Sequence, residues 1–302
     1  MPVIESPIQI VTPPKRYAPV GHCIYCGVYA KKLSKEHIIP FGLAGDSLIL
    51  PRASCPTCSD ITRKHETTVL RTMWWTMRTR IGAPSRHDAP ENFNLHKGIV
   101  EEFQLPWITK ARHTETLKVA AHDFPFAIIT VKFPQPPSIF LRREPNDDDK
   151  VEIWARYNEE EIKQHLGGDK TSIGLAPVEP ETFARFLSKI AHAYAVAELG
   201  QETFEPLLAK FIRNSPLLIC KWLGGQSVDP PATESLHEIG WQICSVDTTH
   251  YVVVNIRLFS CFATPPYQVV VGTLKQPPDS LQFLKQPLYT IDVKRSVPFR
   301  EI

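Results

Sequence analysis

The sequence lacks the features that place a protein in a membrane or mark it for export. No run of 18 or more apolar residues occurs among its 302 residues, whereas a membrane-spanning helix needs about 20. Residues 1–20 are interrupted by prolines and charges, so they contain no continuous apolar core of the signal-peptide kind. We therefore expect a cytoplasmic protein with no membrane partner.

The C-terminal two thirds of the chain also lack a phosphate-binding loop and a nucleophile elbow. The net charge is only +2 and indicates no particular partner, but its distribution is uneven. Residues 1–80 carry a net charge of +6, and the remaining residues carry −4. A basic N-terminal quarter favours a phosphate-rich partner.

Four of the seven cysteines form two Cys-x-x-Cys pairs, Cys23/Cys26 and Cys55/Cys58. In a chain expected in the cytoplasm, this spacing favours a metal over disulfides. Two intervening residues let the backbone double back, so that each pair places two thiolates on one ion. Four thiolates fill the tetrahedral shell of Zn²⁺, so the sequence predicts a structural zinc that helps the segment to fold.

The 28 residues between the two pairs contain Glu-His-Ile-Ile-Pro at 36–40, and the second pair lies in Ala-Ser-Cys-Pro-Thr-Cys at 53–58. This order and spacing resemble the zinc-knotted branch of the HNH endonuclease family. The resemblance covers residues 22–80, about a fifth of the chain. It implies a ββα-metal module, in which two short strands and a helix surround one divalent ion.

The resemblance further implies that His37 is the general base and that Glu36 helps to hold a catalytic Mg²⁺ or another divalent cation. A neutral histidine suits the role because its reference pKa is ~6.5, and carboxylates suit hard cations. Adjacent residues on a strand point to opposite faces. A bulge or a strand end is therefore needed for both side chains to reach one site.

The family commonly has a His or Asn directly after the last cysteine, where this chain has Ser59. Asp60 is the favoured replacement ligand, ahead of His65, and Ser59 is a third option. Contacts to phosphates are expected from basic residues around the site: Lys35, Arg52, Arg63 and Lys64, with Lys31 and Lys32 nearby. The sequence thus predicts a nuclease that hydrolyses phosphodiester bonds, with DNA favoured over RNA. The alternative is a decayed HNH-fold module that binds nucleic acid without cleaving it.

The hydrophobic pattern predicts an α+β chain in four parts: a proline-rich arm (1–20), the HNH module (21–82), an irregular connection (83–120) and a larger α+β domain (121–302). Helices are predicted at 59–80, 158–166, 180–199 and 204–212. Strands are predicted at 126–133, 138–142, 151–157, 250–259 and 267–273. Nothing in the sequence of the larger domain indicates its role.

Overall fold

A computed structural model of the chain describes residues 9–86, 88, 90–101, 110–121, 123–166, 171–173, 178–277 and 288–294. These residues form a mixture of helices and mainly antiparallel sheets, which confirms the predicted α+β class. Residues 1–8 of the predicted arm lie outside this description. No helix in the described ranges is long and apolar enough to cross a membrane.

The part of the chain between the two cysteine pairs has a strand–strand–helix order. Strand β3 (Ser34–His37) pairs antiparallel with β4 (Leu48–Ser54), and helix α2 (Pro56–Thr68) follows. A short helix, α1 (Phe41–Ala44), connects the strands. The β3–β4 register shifts between Ser34 and Glu36, and on β4 the bulge includes Arg52, whose φ of +49° is left-handed. The chain thus has both a bulge and a strand end at the Glu36–His37 pair.

The rest of the predicted arm pairs with strands distant in sequence. Strand β1 (Gln9–Ile10) lies antiparallel to β15 (Tyr289–Lys294), while β2 (Lys15–Arg16) runs parallel to β4. Backbone hydrogen bonds from Tyr17 to Ile49 and from Val20 to Pro51 continue this contact. The arm is therefore an extended segment held by sheet pairing.

The single helix predicted at 59–80 is wrong in its continuity. Helix α2 passes into a π-helical turn at Val69–Met73, and a new helix, α3 (Trp75–Arg80), begins after Trp74. Trp74 has a φ of −118°, its ring packs edge-on against three phenylalanines, and its indole N–H donates to the Ile129 carbonyl over 2.9 Å. Tertiary packing of this one side chain therefore interrupts the helix.

The prediction of an irregular connection at 83–120 is also wrong. Strands β5 (Asn92–Glu101) and β6 (Lys110–Ala120) form a long antiparallel pair, with β9 (Thr171–Ile173) on the other side of β5. Two predicted strands are confirmed as the pair β7 (Ala127–Lys132) and β8 (Glu152–Tyr157), and helix α4 (Glu159–Leu166) follows. The strand predicted at 138–142 is a 3₁₀ turn at Ser138–Leu141.

Helix α5 (Pro180–Leu199) has the predicted bounds and lies at the centre of the structure. It begins with Pro180 in its first turn and ends at Gly200, whose φ of +81° a residue with a side chain rarely adopts. It packs against two adjacent inner strands of the largest sheet, β13 and β14, whose ranges follow. That sheet has the order β1, β15, β12 (Ser235–Val246), β13 (Thr249–Leu258), β14 (Tyr267–Leu274), β10 (Phe204–Pro206), with β11 (Leu223–Gly224) also beside β14.

Two short helices complete the described fold: α6 (Ala209–Ile212) and α7 (Ile219–Trp222). The helix predicted at 204–212 is therefore only partly correct, because its first residues form β10. The predicted strands at 250–259 and 267–273 are confirmed as β13 and β14. One contiguous apolar core extends from the cysteine region through α5 to the large sheet, and includes Ile24, Ile38, Trp74, Phe183 and Val252. The predicted boundary near residue 82 stays a prediction.

Candidate metal centre and active site

The two cysteine pairs are separated by 28 residues in sequence and lie next to each other in the fold. The first pair is a tight turn in which the Gly27 N–H donates to the Cys23 carbonyl over 2.8 Å and Gly27 has a φ of +75°. In the second pair, Cys55 is the N-cap residue of α2 and Cys58 lies in its first turn. The Ile24 N–H donates to the Ala53 carbonyl over 2.8 Å and joins the two pairs.

The four sulfurs are arranged as a metal site requires. All four Sγ atoms lie within 4.8 Å of one another, and those of Cys26 and Cys55 are 3.8 Å apart. A tetrahedral zinc with Zn–S bonds of about 2.3 Å requires sulfurs about 3.8 Å apart. None of the four is in a disulfide. The sequence prediction that these cysteines converge is confirmed, and they could hold a structural metal ion such as zinc.

Two side chains bond to the first cysteine turn: His192 of α5, and Gln201, which follows that helix. The imidazole Nε2 of His192 lies 2.8 Å from the Ile24 carbonyl oxygen, and the Gln201 amide donates to the same carbonyl over 3.4 Å. Gln201 Oε1 in turn lies 2.8 Å from Nε2 of His22. His192 is fully buried, and burial lowers its pKa to about 4. It is therefore a neutral N–H donor that ties the metal centre to the core.

His37 stands at the end of β3, with 13% of its side chain exposed. Its Nε2 lies 3.0 Å from Oδ1 of Asp46, which also accepts a hydrogen bond of 3.0 Å from Lys35. Its ring packs edge-on against Phe41 at 5.7 Å. Burial lowers the pKa of His37, and the Asp46 hydrogen bond only partly opposes this effect. The result is a neutral, oriented imidazole at the surface.

Glu36 points the other way and is buried, as expected for neighbouring residues on a strand. Its carboxylate lies 2.6 Å from Nζ of Lys189 on α5, and that nitrogen is also 2.8 Å from Glu66 of α2. Burial raises the pKa of Glu36, against the influence of Lys189. These contacts do not support a role for Glu36 as ligand to a catalytic ion beside His37, because its carboxylate is engaged in the interior.

The three candidates for the remaining ligand all lie on α2, and each has a different environment. Asp60 is exposed and forms an ion pair with Arg63 at 2.7 Å. Ser59, half-buried, continues the first turn of α2, where its N–H donates to Cys55. His65 faces the region of Arg185 and Asn214, and burial lowers its pKa. Within the described ranges, the cysteine tetrad is the only set of three or more His, Cys, Asp or Glu side chains close enough to share an ion.

The predicted phosphate contacts fall into two groups. Arg52 and Lys64 are exposed, as are Lys31 and Lys32. Lys35 and Arg63 are exposed as well, but each already has a carboxylate partner. Two groups of this region were not predicted: Asp46, which contacts His37, and Arg86, whose guanidinium lies 4.9 Å from the centre of the Phe41 ring that packs against His37. Neither residue has a local sequence pattern that marks it.

Comparison of the chain with protein-family models found no match, and comparisons with curated proteins and with solved structures also found none.

Proposed function

We propose that the chain is an HNH-type endonuclease in which residues 21–82 form the nuclease module and the cysteine tetrad holds a structural zinc. The observation that carries this proposal is the geometry of His37, a partly exposed imidazole at a strand end whose Nε2 is 3.0 Å from Asp46. The strand–strand–helix order beside a cysteine metal centre supports it. Nucleic acid is the expected partner, and DNA is favoured over RNA.

The chemistry follows from the hydrogen bond of His37. An ionised carboxylate only accepts, so the Nε2–H of a neutral His37 donates to Asp46 and leaves Nδ1 as the nitrogen that accepts a proton. Because the pKa of His37 lies below its ordinary value, the imidazole is neutral near pH 7 and can deprotonate an attacking water. Lys35, which shares Asp46 with His37, and Arg86, which lies over the Phe41 ring, would supply positive charge for a phosphate.

A bound zinc would supply folding stability to the tetrad and would leave no open coordination position for substrate. The described residues do not assemble a ligand set for a catalytic Mg²⁺. The roles proposed here are therefore only those of the chain's own groups: base for His37, orientation for Asp46 and phosphate binding for the cations.

The test is cleavage of supercoiled plasmid DNA with Mg²⁺, Mn²⁺ or Ni²⁺. We expect the wild-type protein to nick the plasmid and His37→Ala to lose about 10²–10⁴-fold in rate. Asp46→Asn should lose only part of the rate. The amide oxygen still accepts the hydrogen bond from His37, but it binds the imidazole less strongly than a carboxylate does. His250→Ala is the matched control, because this histidine forms an exposed hydrogen bond with Ser245 on the neighbouring strand of the β12–β13 hairpin. Absence of cleavage under all three metals, or equal rates for wild type and His37→Ala, would overturn the proposal.

A second candidate is a zinc-stabilised module that binds nucleic acid without cutting it. It is favoured because Glu36, Asp60 and His65 belong to no metal-ligating cluster among the described residues. It requires binding that weakens steeply with salt, since each engaged Lys or Arg releases about one counterion. Loss of binding in an Arg52→Ala, Lys64→Ala double variant, together with no cleavage by the wild-type protein, would select this function over the first.

A further inference from the structure

Lys189 is a buried cation in the middle of α5. Only 1% of its side chain is exposed, and burying an ammonium group costs several kcal/mol unless it is fully paired. An apolar side chain of the same volume would fill this position at lower cost. The presence of a lysine therefore needs an explanation beyond packing.

The ammonium group joins three elements at one point. It lies 2.6 Å from the Glu36 carboxylate on β3 and 2.8 Å from the Glu66 carboxylate on α2. It also donates to the backbone carbonyl of His37 and, over 3.3 Å, to that of Ile38. Burial alone would lower the pKa of Lys189, but the two carboxylates hold it above its ordinary value. The group is therefore charged and satisfied by four oxygens.

Three of these four contacts are made to His37 and its two neighbours in sequence. Two of the four oxygens are the carbonyls of His37 and Ile38, where β3 ends, and a third belongs to the neighbour of His37 on the strand. The fourth is on α2, the helix whose first turn supplies Cys55 and Cys58. Lys189 thus fixes the strand end of His37 with respect to both the metal centre and the central helix.

We infer that Lys189 is a positioning residue for His37: its ammonium group holds the His37 and Ile38 carbonyls and thereby sets the orientation of the imidazole toward Asp46. This inference rests on the proposed function of His37 only for its effect on cleavage. Its effect on the imidazole itself can be measured without any activity. A misplacement of about 1 Å in an active site can cost about 10²-fold in rate.

The experiment compares Lys189→Met with His192→Gln in the full chain. His192 is the matched control, because it lies one turn further along α5, is equally buried, and bonds to a carbonyl of the first cysteine turn instead of that of His37. Ring ¹⁵N signals of His37, assigned by their absence in His37→Ala, report the Nε2–H tautomer that the bond to Asp46 imposes. We expect these signals to shift or broaden in Lys189→Met and to stay unchanged in His192→Gln. In Lys189→Met, kcat for DNA cleavage should fall about 10²-fold, while KM should stay within about twofold of the wild-type value.

Lys189→Met leaves two buried carboxylates without their cation, so it is accompanied by the triple variant Glu36→Gln, Glu66→Gln, Lys189→Met, which is neutral and close in volume. If the single variant does not fold, the triple variant gives the same comparison. If the wild-type protein does not cleave DNA, the proposed function fails, and the ring signals alone decide on Lys189. Unchanged His37 signals in a folded variant lacking Lys189 would overturn the inference.

Discussion

At the scale of single residues, His192 and His237 are buried in the neutral form. His192 bonds to the Ile24 carbonyl, and His237 accepts the Phe259 N–H at Nδ1 over 3.0 Å. Burial lowers their pKa values to about 4 and about 3, below the ~6.5 of an exposed histidine. The unfolded chain therefore binds more protons than the native state once the pH falls below ~6.5. The stabilisation is complete above that pH and is lost as the pH drops toward 4 and 3.

We expect the free energy of unfolding to decrease between pH 7 and pH 5, by up to about 1.4 kcal/mol per pH unit for each histidine. Urea unfolding at several pH values measures the slope of this free energy against pH. His192→Gln should make that slope smaller by up to about 1.4 kcal/mol per pH unit, which corresponds to one bound proton. His250→Gln, at the exposed Ser245 contact, should leave the slope unchanged. Equal slopes in wild type and His192→Gln would show that His192 is not held neutral.

The sequence reveals residues whose roles depend on near neighbours and hides those whose partners are distant. The cysteine spacing predicts the tetrad because each pair is complete within four residues. Asp46 is nine residues from His37, and Lys189 is more than 150 residues from Glu36, so neither contact has a local pattern. The resemblance predicts that Glu36 is a metal ligand. In the structure, Glu36 instead forms a buried ion pair with Lys189 of α5.

At the scale of secondary structure, Trp74 determines where one helix ends and the next begins. Its N–H donates to the Ile129 carbonyl of β7, and its ring contacts Phe183 and Phe186 of α5. We expect Trp74→Phe to lower the free energy of unfolding by about 1–3 kcal/mol, because it removes the donor to a buried carbonyl. Trp75→Phe is the control, since Trp75 is half-buried and packs edge-on against Phe93. Urea midpoints measure both, and equal losses would contradict this role of Trp74.

Elements with complete local signals are predicted well, and those decided by tertiary contacts are not. Helix α5 has a sustained apolar pattern, a proline in its first turn and a glycine at its end, so its bounds follow from the sequence. The break at Trp74 comes from packing against α5 and β7, which no window of 59–80 contains. The predicted helix at 204–212 loses its first residues, because 204–206 pair with β14 as a strand, and a partner so distant in sequence leaves no local pattern.

At the scale of the whole molecule, the cysteine region and the large sheet contribute to one apolar core. Apolar residues of the cysteine region and of α5 belong to a single contiguous cluster. Polar contacts reinforce this connection. Lys189 of α5 bonds to the Ile38 carbonyl at the end of β3, and His192 bonds to the Ile24 carbonyl within the first cysteine turn. A sequence that shows a local metal motif followed by a long unmarked region favours two domains, because the apolar contacts between them leave no local trace.

Loss of the metal should therefore destabilise the entire chain. Zinc bound only to the native state adds about 4 kcal/mol to the free energy of unfolding when its free concentration is 1,000 times Kd. Chelation or Cys58→Ser should remove this contribution and so lower the urea midpoint. Because the core is continuous, far-ultraviolet circular dichroism, which reports mainly the helices and the large sheet, and tryptophan fluorescence should change in one coincident transition. Cys244→Ser is the control, since Cys244 is half-buried on β12 outside the tetrad. Two separate transitions, with the large sheet unaffected by the chelator, would show instead that the cysteine region folds on its own and that α5 merely supports it.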